Sequence, residues 1–144
     1  MPKMATVHQH FDNAHISDVE KAVREQINRP EIAARVHSGM RIAIGAGSRG
    51  IANIGIAVRA TVQALRELGA KPFVFPAMGS HGGATAEGQQ AVLAGYGITE
   101  EDVGAPIRAT MDTVLIGKME DGTPVHMDRC AHEADGVVLI NRIK

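Results

Sequence analysis

Residues 40–50, which read MRIAIGAGSRG, decide the fold because they join a short apolar run to a glycine-rich loop. The run at residues 42–44 is too short for a helix and has no polar member, which predicts a strand buried on both faces. Beyond the loop, apolar residues recur at helical spacing until Gly69 ends the segment: Ile54, Val58, Val62, Leu65 and Leu68. Strand, loop and amphipathic helix in this order predict the start of a parallel α/β unit.

The same order of signals follows once more along the chain. Residues 73–75 (FVF) predict a second strand, residues 78–83 (MGSHGG) a second glycine loop, and Thr85 the N-cap of a helix that stops near Gly95. Strands separated by helices pair in parallel. The sequence therefore predicts an α/β fold: an open, mostly parallel sheet with helices on both faces, in a Rossmann-like three-layer domain.

The flanking segments complete this prediction. Residues 114–127 predict a hairpin around an Asp-Gly turn, and residues 136–140 (GVVLI) predict a last strand. Upstream, residues 17–20 form a capping box that predicts an N-terminal helical segment. We expect residues 1–39 to be an N-terminal extension with helices and residues 40–144 to be the N-terminal α/β domain of a larger protein, truncated at its C-terminus.

Composition narrows the classes of function. The chain has 144 residues, 44% hydrophobic and 22% charged, which suits one globular domain. Its net charge of -1 offers no basic field for nucleic acid, and no apolar run approaches a membrane span. A single cysteine, Cys130, and the lack of a signal-peptide pattern predict a cytoplasmic protein.

The first glycine loop, residues 45–50, matches the pattern G-x-G-x-x-G between a strand and a helix. A dinucleotide site also needs a carboxylate at the end of the second strand, but residues 76–81 contain none and Glu67 lies inside the helix. NAD binding is therefore disfavoured, whereas anion binding and a plain tight turn stay open. Arg49 favours anion binding, because a guanidinium can hold a carboxylate or phosphate through two hydrogen bonds; otherwise it is an exposed solubilising arginine.

The second loop carries His81, which has glycines on either side of its Ser-His pair. Parallel strands end at one edge of a sheet, so this loop is expected beside the first, where ligands bind in such folds. An imidazole there can take or give a proton near neutral pH. The alternative is an exposed turn histidine with no function.

Both loops, together with residues 137–144 (VVLINRIK), resemble the N-terminal domain of the nickel-dependent lactate racemase family over residues 40–144. In that family an arginine of an Asp-x-Thr-Arg-Pro loop helps to hold the substrate carboxylate, and a histidine of a Gly-Thr-His loop is one of two acid/base residues. The resemblance gives these roles to Arg49 and His81. Ala46 and Gly50 depart from the first motif, and Gly82-Gly83 replace an Arg-Pro pair after the second.

The resemblance implies a racemase or epimerase of 2-hydroxy acids that passes a hydride to a nickel-pincer nucleotide. The cofactor ligands and the second histidine are expected beyond this chain, and Lys144 does not match the cofactor lysine. The candidate site residues are His81 as catalytic, Arg49 and Ser48 as substrate-binding, and, at the cofactor, Gly45, Gly47, Gly79 and Ser80. The expected partners are a small carboxylate and the C-terminal domain of the same protein, with a homo-oligomer also open; this segment alone is expected to be inactive.

Two other functions remain alternatives: a non-enzymatic nucleotide- or anion-binding Rossmann-like module, and a structural or oligomerisation domain. Two histidine groups also invite a metal interpretation, namely His8 with His10, and His126 with Asp128, Cys130 and His132. The second set would align only along a strand, but residues 128–134 favour a helical turn, and no paired cysteines support a structural site. We therefore predict no metal site in this chain.

Overall fold

The computed structural model describes residues 4–11 and 14–142 and shows a mixed α/β fold. Its larger sheet has three parallel strands in the order β2, β1, β5, which are Lys71–Pro76, Arg41–Ala46 and Gly136–Ile140. Ala46 is paired with Pro76 on one side and with Ile140 on the other. The three strands therefore end together, and the loops that follow them start side by side.

The main core lies on one face of this sheet. Helix α3, Ile54–Glu67, follows β1 and buries Val58, Val62 and Leu65 against Ile44 and Val74. Helix α4, Ala86–Ala94, and the short helix α5, Glu100–Val103, add Leu93 and Val103 to the same cluster. Because side chains alternate along a strand, Ala43 and Phe73 point to the opposite face, where they form a smaller cluster with Ala131 of helix α6, Arg129–His132.

A separate two-stranded sheet is the antiparallel hairpin that the Asp-Gly turn predicted. It pairs β3, Thr113–Lys118, with β4, Pro124–Asp128. Large apolar side chains are exposed here and on β5: Leu115, Ile116, Met119, Val125, Val137 and Leu139. The hairpin contacts the smaller cluster through Met127 of β4 and is otherwise largely exposed.

The N-terminal part contributes helix α1, Val19–Ile27, and the one-turn helix α2, Pro30–Ala33. Arg24 of α1 forms an ion pair with Glu67 at the end of α3. The capping-box prediction is wrong in its residue, because Asp18 and not Ser17 is the N-cap, accepting from the amide of Lys21 at 2.9 Å. A carboxylate serves this purpose as well as a hydroxyl does.

The sequence predicted helices within residues 1–39, and the second of them is only one turn long. Its α-helical part ends at Ala33, and the chain turns through Gly39, which has a φ of +86°. Lys144 lies outside the described residues. Among the described helices, none combines the length and the apolar composition needed to cross a bilayer.

Candidate functional site

The loops after β1 and β2 meet at the carboxyl edge of the parallel sheet, as the sequence predicted. They border a cavity of about 590 Å³. Its lining consists of both loops and the residues that follow β5: Gly47, Ser48, Arg49, Ile51, Ala77, Met78, Gly79, His81, Asn141 and Arg142. This is the edge at which ligands bind in open parallel sheets.

His81 is held between two side chains of the first loop. Its Nδ1 is hydrogen-bonded to Oγ of Ser48, which is only 8% exposed, and its Nε2 lies 2.8 Å from Nη2 of Arg49. A guanidinium can only donate, so Nε2 accepts from Arg49. In this arrangement the ring is neutral, and Nδ1 carries its proton and donates to Ser48.

The second loop is fixed by the helix that follows it. Gly82, Gly83 and Ala84 all have left-handed backbone conformations, with φ of +63°, +68° and +55°. A Cβ on Gly82 would come within 2.5 Å of the amide nitrogen of Gln89, because the loop backbone rests on the first turn of α4. Only glycine therefore fits at residue 82.

Gln89 of α4 anchors the same loop through its side chain. Its side chain is 3% exposed, and Nε2 donates to the carbonyl oxygens of Met78 and Gly79 at 3.1 and 2.8 Å. Thr85 caps α4 by accepting from the amide of Gly88 at 3.1 Å, which confirms the predicted cap. These contacts fix the backbone just before His81.

The first loop is fixed by the segment after β5. The amide of Gly47 donates to the carbonyl of Ile140 at 2.9 Å, and the side chain of Asn141 covers the Cα of Gly47 so closely that a Cβ would overlap its Oδ1. Gly50 has a φ of +67°, and a Cβ there would lie 2.7 Å from Nη1 of Arg142. Residues about 90 positions away in the sequence therefore shape this loop.

The charged side chains that line the cavity are cationic. Arg49 and Arg142 are its only charged lining side chains among the described residues, and His81 adds a titratable ring; no carboxylate lines the cavity. A guanidinium prefers a planar oxyanion such as a carboxylate, which it binds through two hydrogen bonds. The geometry suits a small anionic ligand.

The structure brings together Arg49, Ser48 and His81, as predicted. Gly47 and Gly79 also line the cavity, whereas Gly45 and Ser80 do not. Gly45 lies inside β1, where a Cβ would come within 3 Å of the side chains of Leu139 and Phe75. Packing between the strands therefore explains why residue 45 is a glycine.

Three residues of the site escaped the sequence analysis: Gln89, Asn141 and Arg142. Gln89 gave no signal, because one of two adjacent glutamines in a polar stretch of helix is ordinary. Asn141 and Arg142 did have a sequence signal, since they follow a predicted parallel strand and must reach the same edge of the sheet as the two loops.

The alternative metal groups do not assemble. The described residues contain no group of three or more His, Cys, Asp or Glu side chains able to hold a metal ion. Strand β4 ends at Asp128, so His126 and His132 do not share a strand face, and Nδ1 of His126 lies 3.3 Å from Oγ1 of Thr113. Burial raises the pKa of the Cys130 thiol, which disfavours the thiolate that a metal would need.

Comparison with known proteins adds one match. No curated protein and no solved structure matches this chain. The family model described as the lactate racemase N-terminal domain matches residues 3–144, which includes both loops and all the cavity-lining residues. The chain therefore belongs to the lactate racemase N-terminal domain family.

Proposed function

We propose that this chain binds the substrate and transfers the hydroxyl proton in a racemase or epimerase of 2-hydroxy acids. One observation carries the proposal: His81 is hydrogen-bonded to Ser48 on one ring nitrogen and to Arg49 on the other, in a cavity that no carboxylate of the described residues lines. Membership of the lactate racemase N-terminal domain family supports the class of reaction.

Arg49 is assigned to the substrate carboxylate. Its guanidinium is exposed to the cavity and hydrogen-bonded to a neutral ring, so a carboxylate that enters meets a cation with no competing anion among the lining residues. A carboxylate is a much better acceptor for a guanidinium than an imidazole nitrogen is. Substrate binding is therefore expected to draw Arg49 away from Nε2 of His81.

His81 is assigned to the hydroxyl proton of the same substrate. Once Arg49 turns to the carboxylate, the lone pair on Nε2 is released toward the cavity and can accept the proton of a hydroxyl one carbon away. Oγ of Ser48 accepts a hydrogen bond from the Nδ1–H group and so keeps the ring in the tautomer whose Nε2 is basic. When a hydroxyl is formed again, Nε2 returns the proton.

The family is nickel-pincer dependent in general, and that cofactor supplies the hydride acceptor when it is bound. The described residues hold no cluster of metal-ligating side chains, so they do not fit the nickel itself. Their part is limited to binding the acid and moving its proton. The assignment of the loop glycines and Ser80 to the cofactor stays a prediction.

The domain is also proposed to work against a further part of the same protein. Large apolar side chains are exposed on the hairpin and also on β5, where Leu139 is 64% exposed and is poorly solvated by water. A C-terminal domain packed there would border the cavity, because Leu139 lies three residues before Arg142.

The test is a racemisation assay of the full-length gene product loaded with cofactor. His81→Asn is expected to lower kcat by about 100-fold or more, because it removes the proton acceptor, whereas Arg49→Gln should chiefly raise KM. His37→Asn is the matched control, since His37 is an exposed turn residue before β1, at the opposite edge of the sheet. Undiminished turnover in His81→Asn would remove His81 from the mechanism.

The alternative is a nucleotide-binding module built on the first glycine loop. Two observations weigh against it. Helix α3 begins only at Ile54, eight residues after β1 ends, and the side chain of Asn141 covers the glycine face that a pyrophosphate would approach. Calorimetry with NAD decides between them, because NAD binding that is lost in Gly47→Ala would favour the module.

A further inference from the structure

We propose that Arg142 binds a second anionic group of the substrate, so that the cavity selects 2-hydroxy acids with two anionic groups, of which 2-hydroxy dicarboxylates are the simplest class. This inference rests on the proposed function, in which Arg49 holds the first carboxylate and His81 faces the hydroxyl.

Arg142 reaches the cavity from the third strand of the sheet. It stands two residues after the end of β5, and its guanidinium lies against Gly50, three residues after Gly47 in the first loop. A side chain at residue 50 would collide with Nη1, and the φ of +67° excludes proline there. Gly50 thus leaves the space that the guanidinium occupies.

The guanidinium of Arg142 has no partner within the described residues. Three other arginines have carboxylate partners: Arg24 pairs with Glu67, Arg29 with Glu31, and Arg129 with Asp112. Arg35, Arg59 and Arg66 also lack a partner among the described residues, but they do not line this cavity. Arg142 lines the cavity with neither a hydrogen bond nor an ion pair in the described part of the chain. It is therefore available to a ligand.

Two guanidinium groups in one cavity define the ligand chemistry. They repel each other, and a ligand with one carboxylate engages one of them and leaves the other uncompensated. A ligand with two anionic groups compensates both, and each guanidinium offers a planar fork that fits a carboxylate. Arg142 then determines specificity without taking part in proton transfer.

Calorimetry of the full chain at low ionic strength tests this, with malate, lactate and 3-phosphoglycerate as probes. All three are 2-hydroxy acids, and the second anionic group is a carboxylate in malate, a phosphate in 3-phosphoglycerate and missing in lactate. Malate should bind about tenfold or more tightly than lactate, and Arg142→Gln should abolish that difference while changing lactate binding by less than about twofold. Arg35→Gln is the matched control, because Arg35 is exposed near the amino ends of the strands.

Each outcome decides something. If Arg142→Gln lowers the affinity for 3-phosphoglycerate more than the affinity for malate, the inference stands with a phosphate as the second group. If Arg142→Gln leaves the ratio of malate to lactate affinity unchanged, or if no probe binds, the inference is overturned. Where lactate does bind, its loss in Arg49→Gln keeps the proposed function intact even if the inference fails. Malate binding that needs Arg142 but not Arg49 would refute the role proposed for Arg49 and leave that of Arg142 standing.

Discussion

The two glycine loops of the site have similar sequences and neighbouring positions, but different parts of the chain hold them. The second loop, residues 77–84, is fixed locally: its backbone lies on the first turn of α4, and Gln89 binds two of its carbonyls. The first loop, which joins β1 to α3 at residues 47–53, is fixed by Ile140 and Asn141, far along the sequence.

This difference separates the residue proposed to move the proton from the residue proposed to bind the carboxylate. The position of His81 depends on a helix that follows within eight residues, whereas that of Arg49 depends on β5 pairing with β1. Local contacts form at a low cost in loop-closure entropy, and distant ones require the whole sheet. Variants that loosen one loop and not the other therefore test whether the two loops are anchored separately.

The largest effect is expected from Gly82→Ala in the second loop. The new Cβ would meet the backbone of α4 and could not be relieved by turning a side chain, so we expect a loss of about 3 kcal/mol or more in the free energy of unfolding. Urea denaturation measures this. Gly83→Ala is the control, because its φ is also positive but its Cβ would meet nothing within 4 Å; about 1 kcal/mol is expected. Equal losses would show that α4 does not hold the loop.

A smaller effect is expected from Gly47→Ala in the first loop. The Cβ would displace the side chain of Asn141, which can move, so about 2 kcal/mol is expected. A double-mutant cycle in urea sharpens the comparison, because Gly47→Ala should cost less than about 1 kcal/mol once Asn141→Ala has removed the obstacle. Additive losses would mean that the segment after β5 does not shape this loop. Gly79→Ala, whose Cβ meets nothing, serves as the neutral reference.

The smallest effect is expected from Gln89→Met, which keeps the length of the side chain but removes its donor. Two loop carbonyls lose their hydrogen bonds, at a cost of about 1 to 2 kcal/mol. Amide hydrogen exchange should become faster in residues 78–84 and stay unchanged in residues 47–53. The exposed neighbour Gln90 offers the control, since Gln90→Met should change neither quantity. Faster exchange in both loops would contradict the separate anchoring.

Much of this was predictable from the sequence. The apolar runs predicted the three parallel strands and the hairpin, because burial in this fold follows hydrophobic pattern. Helix ends were less predictable: Asp18 displaced Ser17 as a cap, since adjacent residues can fill the same role. The meeting of Arg49 and His81 was predictable because parallel strands end at one edge, but the partner of each ring nitrogen was not.

The sequence by itself determined the class of fold, the order of its elements and the two loops that carry Ser48, Arg49 and His81, because hydrophobic periodicity and glycine placement are local properties. Only the tertiary structure decided that Arg142 completes the cationic lining, that Asn141 covers Gly47 and that Gln89 holds the loop of His81. Those contacts depend on strand register and on side chains that meet across the fold, and residue types in sequence do not specify distances between segments that are far apart along the chain.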